Sequence, residues 1–234
     1  MSKRQTYFVT GTDTGVGKTC VSAALLHAAK AQGFSTLALK PVAAGCEESP
    51  DGLVNDDALM LQQFMTEPLS YSQVNPVALK AAIAPHIAAQ QEGRSLSSAR
   101  LAGICRGALM HRVDLALVEG AGGWRVPLNS RETLAHLAAS LQVPVILVVA
   151  LRLGCINHAL LTADAIKMDG LRLAGWVANR VSPETMAAEQ ENIETLSQWL
   201  PAPCLGVLPY QSELSIPDLA SHLDIRSLVG TSST

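Results

Sequence analysis

The residues between the first predicted strand and the first predicted helix have the types and spacing of a phosphate-binding loop. They read GTDTGVGKT, from Gly11 to Thr19. Glycines at positions 15 and 17 allow backbone amides to point inward, and the helix N-terminus adds positive charge where phosphate oxygens bind. Lys18 would neutralise the β- and γ-phosphates, and the Thr19 hydroxyl would bind Mg²⁺. We therefore predict a nucleotide site, the alternative being a glycine-rich turn.

Three charged side chains lie near predicted strand ends, where a phosphoryl-transfer site needs them. Glu119 follows an apolar strand and precedes GAGG, so it is a candidate metal ligand, or else a solvated charge. Lys40 ends another strand and would face the phosphates, unless it is an ordinary exposed lysine. Asp57, in NDDAL, either binds the metal or complements the dipole of a helix that Asn55 or Asp56 caps. Spacing alone leaves both interpretations of Asp57 open.

Short apolar runs alternate with longer helical patterns, and this alternation predicts βαβ units. Several runs are apolar at every position, which is typical of strands buried on both faces. We predict an α/β fold, P-loop NTPase-like, with a mostly parallel sheet flanked by helices on both faces. One domain is expected to span residues 1–234, with a frayed tail from about residue 230. The predicted strands are 6–9, 36–39, 115–118, 143–149, 173–178 and 204–208, and the predicted helices are 19–32, 57–64, 97–111, 134–141, 158–168 and 183–200.

The composition excludes several classes of protein. Hydrophobic residues make up 48% of the chain, charged residues make up 16%, and the net charge is -3. These values exclude general disorder and argue against a nucleic-acid or anionic-membrane surface. The longest uncharged run, Thr133 to Leu151, is divided by Gln142 and Pro144, so we expect no membrane span. Five cysteines without a CxxC pair fit free thiols in a reducing cytoplasm, although Cys155 could be reactive.

Longer segments along nearly the whole chain resemble one enzyme family. They are GTDTGVGKT (11–19), KPVAAG (40–45), NDDAL (55–59), NPVAL (75–79), APHIAAQQEG (84–93), VEGAGGW (118–124), GCINHALLT (154–162), GWVAN (175–179) and LGVLPY (205–210). In these segments the sequence is similar to the dethiobiotin synthetases, which close the ureido ring in biotin synthesis. The resemblance implies a homodimer that uses ATP, Mg²⁺ and CO₂ with 7,8-diaminononanoate. It also implies a carbamate, then a carbamic-phosphoric anhydride, and no covalent enzyme intermediate.

The resemblance also assigns roles to individual residues. Lys40 becomes the catalytic lysine, Lys18 acts on the nucleotide phosphates, and Thr19, Asp57 and Glu119 hold the metal. The nucleotide-binding residues would be Asp13, Thr14, Gly15, Val16, Gly17, Lys18, Thr19, Cys20, Asp57, Glu119, Gly120, Ala121, Gly122, Asn179, Arg180, Pro209, Tyr210 and Gln211, with Asn179 on the adenine edge and the last three lining the base pocket. The substrate-binding residues would be Thr14, Lys40, Ala44, Gly154, Cys155, Ile156 and Asn157, the last four receiving the substrate carboxylate from the neighbouring subunit.

The sequence departs from the family pattern at two positions in the expected site. Ala44 has no hydroxyl where many members carry Ser or Thr, and Gly15 lacks the acidic side chain of some members. Two alternatives therefore stay open. The protein could be a paralogue with altered substrate affinity or identity, or another ATP-dependent ligase of the same fold. A partitioning-type P-loop ATPase switch is the other alternative. Such proteins typically carry a second lysine early in the loop, where this chain has Asp13.

Overall fold

The computed structural model describes residues 4–50 and 52–229, so the tail predicted to fray lies outside the described residues. The strands are β1 (Gln5–Gly11), β2 (Thr36–Leu39), β3 (Val42–Ala44), β4 (Glu47–Ser49), β5 (Gly52–Val54), β6 (Val77–Leu79), β7 (Leu115–Gly123), β8 (Val145–Ala150), β9 (Leu173–Asn179) and β10 (Cys204–Leu208). The helices are α1 (Lys18–Ala31), α2 (Asp56–Phe64), α3 (Tyr71–Val74), α4 (Pro85–Gln91), α5 (Ser98–Ala108), α6 (Leu134–Leu141), α7 (Cys155–Met168), α8 (Glu189–Trp199), α9 (Ile216–Ala220) and α10 (Arg226–Val229).

A parallel sheet of 6 strands forms the centre, in the order β10-β9-β8-β1-β7-β2. The strands β8 and β9 are buried at every residue, as a sheet covered on both faces requires. From β1 to β2 the chain moves towards one edge of the sheet, and from β8 through β9 to β10 it moves towards the opposite edge. Because such crossovers are right-handed, their helices cover opposite faces. The predicted fold class is confirmed.

Several predicted boundaries were wrong. The strand expected to end at Val118 continues to Gly123, since β7 keeps pairing with β1 beyond a register shift between Val9 and Gly11. Glycines have low strand propensity, so the sequence pattern ended this strand too early. Helix α7 begins at Cys155 instead of His158, because Gly154 with φ 93 caps it. Helix α8 begins only at Glu189, after Ala188 adopts φ 52.

The sequence pattern missed the small elements that follow β2. The strands β3 and β6 form a parallel pair, and β4 and β5 form an antiparallel hairpin. Each has only 3 residues, too few for a period to be visible. Within residues 4–50 and 52–229, no helix combines the length and the apolar character needed to cross a bilayer.

Candidate active site

Charged groups from four elements converge on a cleft at the carboxyl edge of the sheet. The cleft has a volume of about 810 Å³ and is partly open to solvent. The loop after β1, the end of β2, the start of α2 and the segment after β7 form its walls, which is where parallel α/β sheets bind ligands. The residues that line it are Thr14, Gly15, Gly17, Lys18, Thr19, Cys20, Lys40, Ala43, Ala44, Asn55, Asp57, Ala82, Ile83, Ala84, Pro85, Ala121, Gly122, Arg125, Val126 and Pro127.

The loop from Gly11 to Lys18 is tightly folded around its glycines. Gly17 has φ 84 and caps α1, and a Cβ added there would lie 2.1 Å from Nδ2 of Asn179. A Cβ on Gly11 would lie 2.5 Å from Cγ2 of Val16. Gly11 therefore permits the close fold of the loop, although it stands one residue before the first glycine of the usual motif.

Lys40 lies between two carboxylates. Its Nζ donates to Oδ2 of Asp57 at 2.7 Å and to Oε1 of Glu119 at 2.7 Å, with the Gly120 carbonyl at 3.4 Å. Lys40 is 3% exposed and Glu119 is 0% exposed. These burials exclude the alternatives of an ordinary exposed lysine and a solvated strand-end charge.

The ion pairs keep Lys40 and Asp57 charged. Burial would lower the pKa of Lys40, but the charges of Glu119 and Asp57 outweigh burial, so the pKa is raised. Burial would likewise raise the pKa of Asp57, yet the ammonium of Lys40 outweighs it and the pKa is lowered. Lys40 is therefore a cation, and Asp57 an anion, at neutral pH.

The cluster also fits a divalent cation. Oγ1 of Thr19 donates to Oε1 of Glu119 at 2.8 Å. The buried Oε2 of Glu119 has no hydrogen-bond partner among the described residues. A buried carboxylate oxygen without a partner is costly and suits a cation ligand. The described part of the chain contains no cluster of three or more His, Cys, Asp or Glu ligands. A hydroxyl and two carboxylates match Mg²⁺, which usually keeps waters and substrate phosphates as its other ligands.

Lys18 is a second cation in the same cleft. Its Nζ lies 3.4 Å from the backbone oxygen of Asp13, and the residue is 7% exposed. Burial, and then the nearby positive charge of Lys40, lowers the pKa of Lys18 to about 8. Bound phosphates would restore the preference for the charged form.

The residues expected around the base do not line the cleft. Asn179 ends β9, and its Nδ2 donates to the backbone oxygen of Val16 at 2.9 Å, so it supports the loop as well. Arg180 forms an ion pair with Glu189 at 2.6 Å, at the edge of this region. The residues Pro209, Tyr210 and Gln211 follow β10, and the Tyr210 side chain is exposed.

The segment expected to receive a substrate carboxylate begins α7. Gly154 caps this helix, Cys155 is 2% exposed, and Ile156 packs on the core while Asn157 is exposed. These four residues do not line the cleft of their own chain. Arg152, just before them, pairs with Oδ2 of Asp13 at 2.7 Å and so connects the segment to the phosphate loop.

Sequence reasoning gave Asn55 only a capping role. Asn55 occupies the position before α2, but its side chain makes no capping hydrogen bond. Its Oδ1 is instead buried with no partner in the part of the chain that the structure describes, and the residue lines the cleft. Nothing in the pattern NDDAL separates this arrangement from an ordinary helix cap.

Comparisons with known proteins show which family this chain resembles. A family profile described as an AAA domain matches residues 5–218. The chain is 60% identical to the ATP-dependent dethiobiotin synthetase of Cellvibrio japonicus, covering 98% of this chain and 99% of that protein. It is 55% identical to the same enzyme of Marinobacter nauticus, covering 97% and 98%. A ParA family ATPase structure from Chlorobium tepidum, 12% identical, covers 96% of this chain and 92% of its own with a TM-score of 0.55, and so shares the fold. The chain belongs to the dethiobiotin synthetase family.

Proposed function

We propose that this protein is an ATP-dependent ligase that converts 7,8-diaminononanoate and CO₂ into dethiobiotin, releasing ADP and phosphate. One observation carries the proposal within the site: Lys40 is buried between Asp57 and Glu119 directly beside the phosphate loop. The substrate is proposed from the family to which the chain belongs. We further propose that residues 1–234 form one P-loop domain. A location in the cytoplasm is supported by the five free thiols of the chain, because the cytoplasm keeps thiols reduced.

The reaction would proceed in three balanced steps. One amine of the substrate attacks CO₂ and loses a proton, which leaves a carbamate. A carbamate oxygen then attacks the γ-phosphorus of ATP, and ADP leaves. The second amine attacks the carbamate carbon, phosphate leaves with its electron pair, and the remaining proton is lost to give the cyclic urea.

The protein would act by positioning and by neutralising charge, because phosphoryl transfer needs little covalent chemistry from the enzyme. The amides of the phosphate loop and Lys18 would hold the phosphates of ATP. Lys40 would neutralise the carbamate and the transferred phosphoryl group, since its ammonium is fixed by two 2.7 Å ion pairs. No side chain is required as a nucleophile.

Mg²⁺ would be held by Thr19, Asp57 and Glu119. When bound, it would neutralise charge on the β- and γ-phosphate oxygens. The unpartnered Oε2 of Glu119 supports this assignment. The chain would hold the substrate itself through Thr14, Lys40 and the wall at Ala44, all of which line the cleft.

A homodimer completes the proposal. The start of α7 would face the partner's cleft, where Gly154 to Asn157 would bind the substrate carboxylate through backbone amides at a helix start. Apolar side chains around this helix support an interface, since Leu153 is 95% exposed, Leu161 is 61% exposed and Met168 is 82% exposed.

Phosphate release from ATP and Mg²⁺ in bicarbonate buffer, with and without 7,8-diaminononanoate, tests the function. We expect diamine-dependent release and a product that has gained one ring carbonyl. Lys40→Met should lose product formation yet still bind ADP, while Lys30→Ala, which removes an exposed lysine at the end of α1, should match the wild type. Release that ignores the diamine, without cyclic product, would point instead to another ligase substrate or to an ATPase switch.

A further inference from the structure

A chain of hydrogen bonds connects the backbone beside Lys40 to the backbone beside Asp57. Asn75 is 3% exposed, and its Nδ2 donates to the backbone oxygen of Lys40 at 2.7 Å. The Tyr71 hydroxyl donates to Oδ1 of Asn75 at 3.0 Å and accepts the backbone N–H of Asn55 at 2.8 Å. Neither Tyr71 nor Asn75 lines the cleft. The chain therefore joins the strand end that carries the lysine to the start of the helix that carries the carboxylate.

We propose that Tyr71 and Asn75 are positioning residues that fix Lys40 relative to Asp57 during phosphoryl transfer. We call this pair the Tyr71–Asn75 brace. The catalytic part of the inference rests on the proposed function of Lys40. The placement part depends only on the hydrogen bonds within the protein.

The hydroxyl of Tyr71 anchors the residue at which α2 begins. The Asn55 side chain makes no capping bond to α2, and the backbone N–H of Asn55 donates to this hydroxyl. Tyr71 is itself fixed, because it begins α3 behind a capping box of Ser70 and Gln73. Burial raises the pKa of the Tyr71 phenol, so the group remains a proton donor to Asn75.

The far end of the brace is equally firm. Asn75 also donates to the backbone oxygen of Val77 at 3.3 Å, and the Lys40 N–H donates to the oxygen of Val74 at 2.8 Å. A shift at either end would change the 2.7 Å distance between Nζ of Lys40 and Oδ2 of Asp57. The phosphate loop is not part of the brace, so its contacts to nucleotide should be independent of it.

This independence gives the expected kinetic effect. Misplacing a catalytic group by about 1 Å can cost roughly 10²-fold in rate, so the smaller shift after loss of one hydroxyl should cost about tenfold. We expect Tyr71→Phe to lower kcat for dethiobiotin formation about tenfold. The affinity of the phosphate loop for ADP without Mg²⁺, measured by calorimetry, should change by less than about twofold. A purely structural role would not produce this division between kcat and ADP affinity.

The matched control is Tyr7→Phe. The Tyr7 hydroxyl also donates to a backbone oxygen, that of Leu228, at 2.9 Å, and Tyr7 does not line the cleft. Steady-state kinetics and thermal unfolding should be measured for both variants, together with amide hydrogen exchange at Asn55. We expect unchanged kcat in Tyr7→Phe, and faster exchange at Asn55 only in Tyr71→Phe.

Wild-type kcat in Tyr71→Phe, or an equal fall in both variants, would overturn the inference. If Tyr71→Phe does not fold, Asn75→Asp provides a second test. That variant keeps the acceptor for Tyr71 and removes the donor to Lys40. Unchanged kcat in Asn75→Asp would also overturn the inference. If the wild-type protein makes no dethiobiotin, the proposed function fails. Exchange at Asn55 then still decides the placement part, which unaltered exchange in Tyr71→Phe would refute.

Discussion

Gly17→Ala should destabilise the protein through two separable effects. Gly17 has φ 84, and a left-handed conformation costs a residue with a Cβ about 1–2 kcal/mol. The new Cβ would lie 2.1 Å from Nδ2 of Asn179, so that amide must leave its hydrogen bond to Val16. Loss of one such bond costs about 0.5–1.5 kcal/mol. The free energy of unfolding should therefore fall by roughly 1.5–3.5 kcal/mol, the sum of these two ranges.

Gly33→Ala is the matched control. Gly33 has φ 83, but no atom of residues 4–50 and 52–229 lies within 4 Å of a Cβ placed there, so only the conformational cost applies. Urea unfolding of both variants would measure the difference, which should be about 0.5–1.5 kcal/mol. ADP binding, followed by calorimetry, should weaken in Gly17→Ala and stay unchanged in Gly33→Ala.

Asn179→Ala provides the decisive comparison. Removing the amide also removes the obstruction, so Asn179→Ala should destabilise the Gly17→Ala protein less than it destabilises the wild type. Equal stability of Gly17→Ala and Gly33→Ala would refute the reasoning. Strict additivity of Gly17→Ala and Asn179→Ala would refute it as well.

Three further predictions concern the charges and the wall of the cleft. Glu119→Gln should lower kcat/KM by about 12- to 160-fold, because hydrogen bonds to charged groups are worth about 1.5–3 kcal/mol. It should also raise the Mg²⁺ concentration needed for half-maximal activity, and an unchanged Mg²⁺ titration would contradict this role. The pKa of Lys18 is about 8, so ADP affinity without Mg²⁺ should be constant below pH 8. Above that pH the affinity should fall by up to about tenfold per pH unit, because the free protein must take up a proton to charge the lysine. Calorimetry in two buffers of different ionisation enthalpy measures this uptake, and none at pH values above the pKa would contradict it. Ala44→Ser should lower KM for the diamine about 2- to 12-fold by adding one hydrogen bond to the cleft wall, whereas an unchanged KM would place the substrate away from this wall.

The sequence predicted those parts of the site that depend on residue type and strand position. Lys40 and Glu119 follow apolar runs, and parallel strands bring such residues to one edge, so their convergence was predictable. The phosphate loop was equally visible, because glycines, a lysine and a threonine occupy fixed positions before a helix. The direct contact of Lys40 with both carboxylates was not visible, since no pattern gives side-chain distances.

Contacts between distant residues account for most of what the sequence did not predict. The hydroxyl of Tyr71 accepts the backbone N–H of Asn55 at the start of α2, and no local pattern connects a tyrosine to a helix start 16 residues earlier. Asn179 supports Val16 across 163 residues of sequence, in addition to its expected place near the base. Such contacts arise from the packing of the whole sheet, and local propensities do not encode them.

The pairing of β1 with β7 also determines when this protein can first bind a nucleotide as it folds. Oγ1 of Thr19 and Oε1 of Glu119 meet across 100 residues of sequence. Closing so long a loop has an entropic cost that must be met before the contact stabilises anything, so nonlocal pairings of this kind form slowly. A nascent chain that ends before residue 119 carries the whole phosphate loop but lacks the carboxylate opposite it. Nucleotide binding should therefore appear late in folding, and ATP would stabilise the assembled sheet without guiding the early steps.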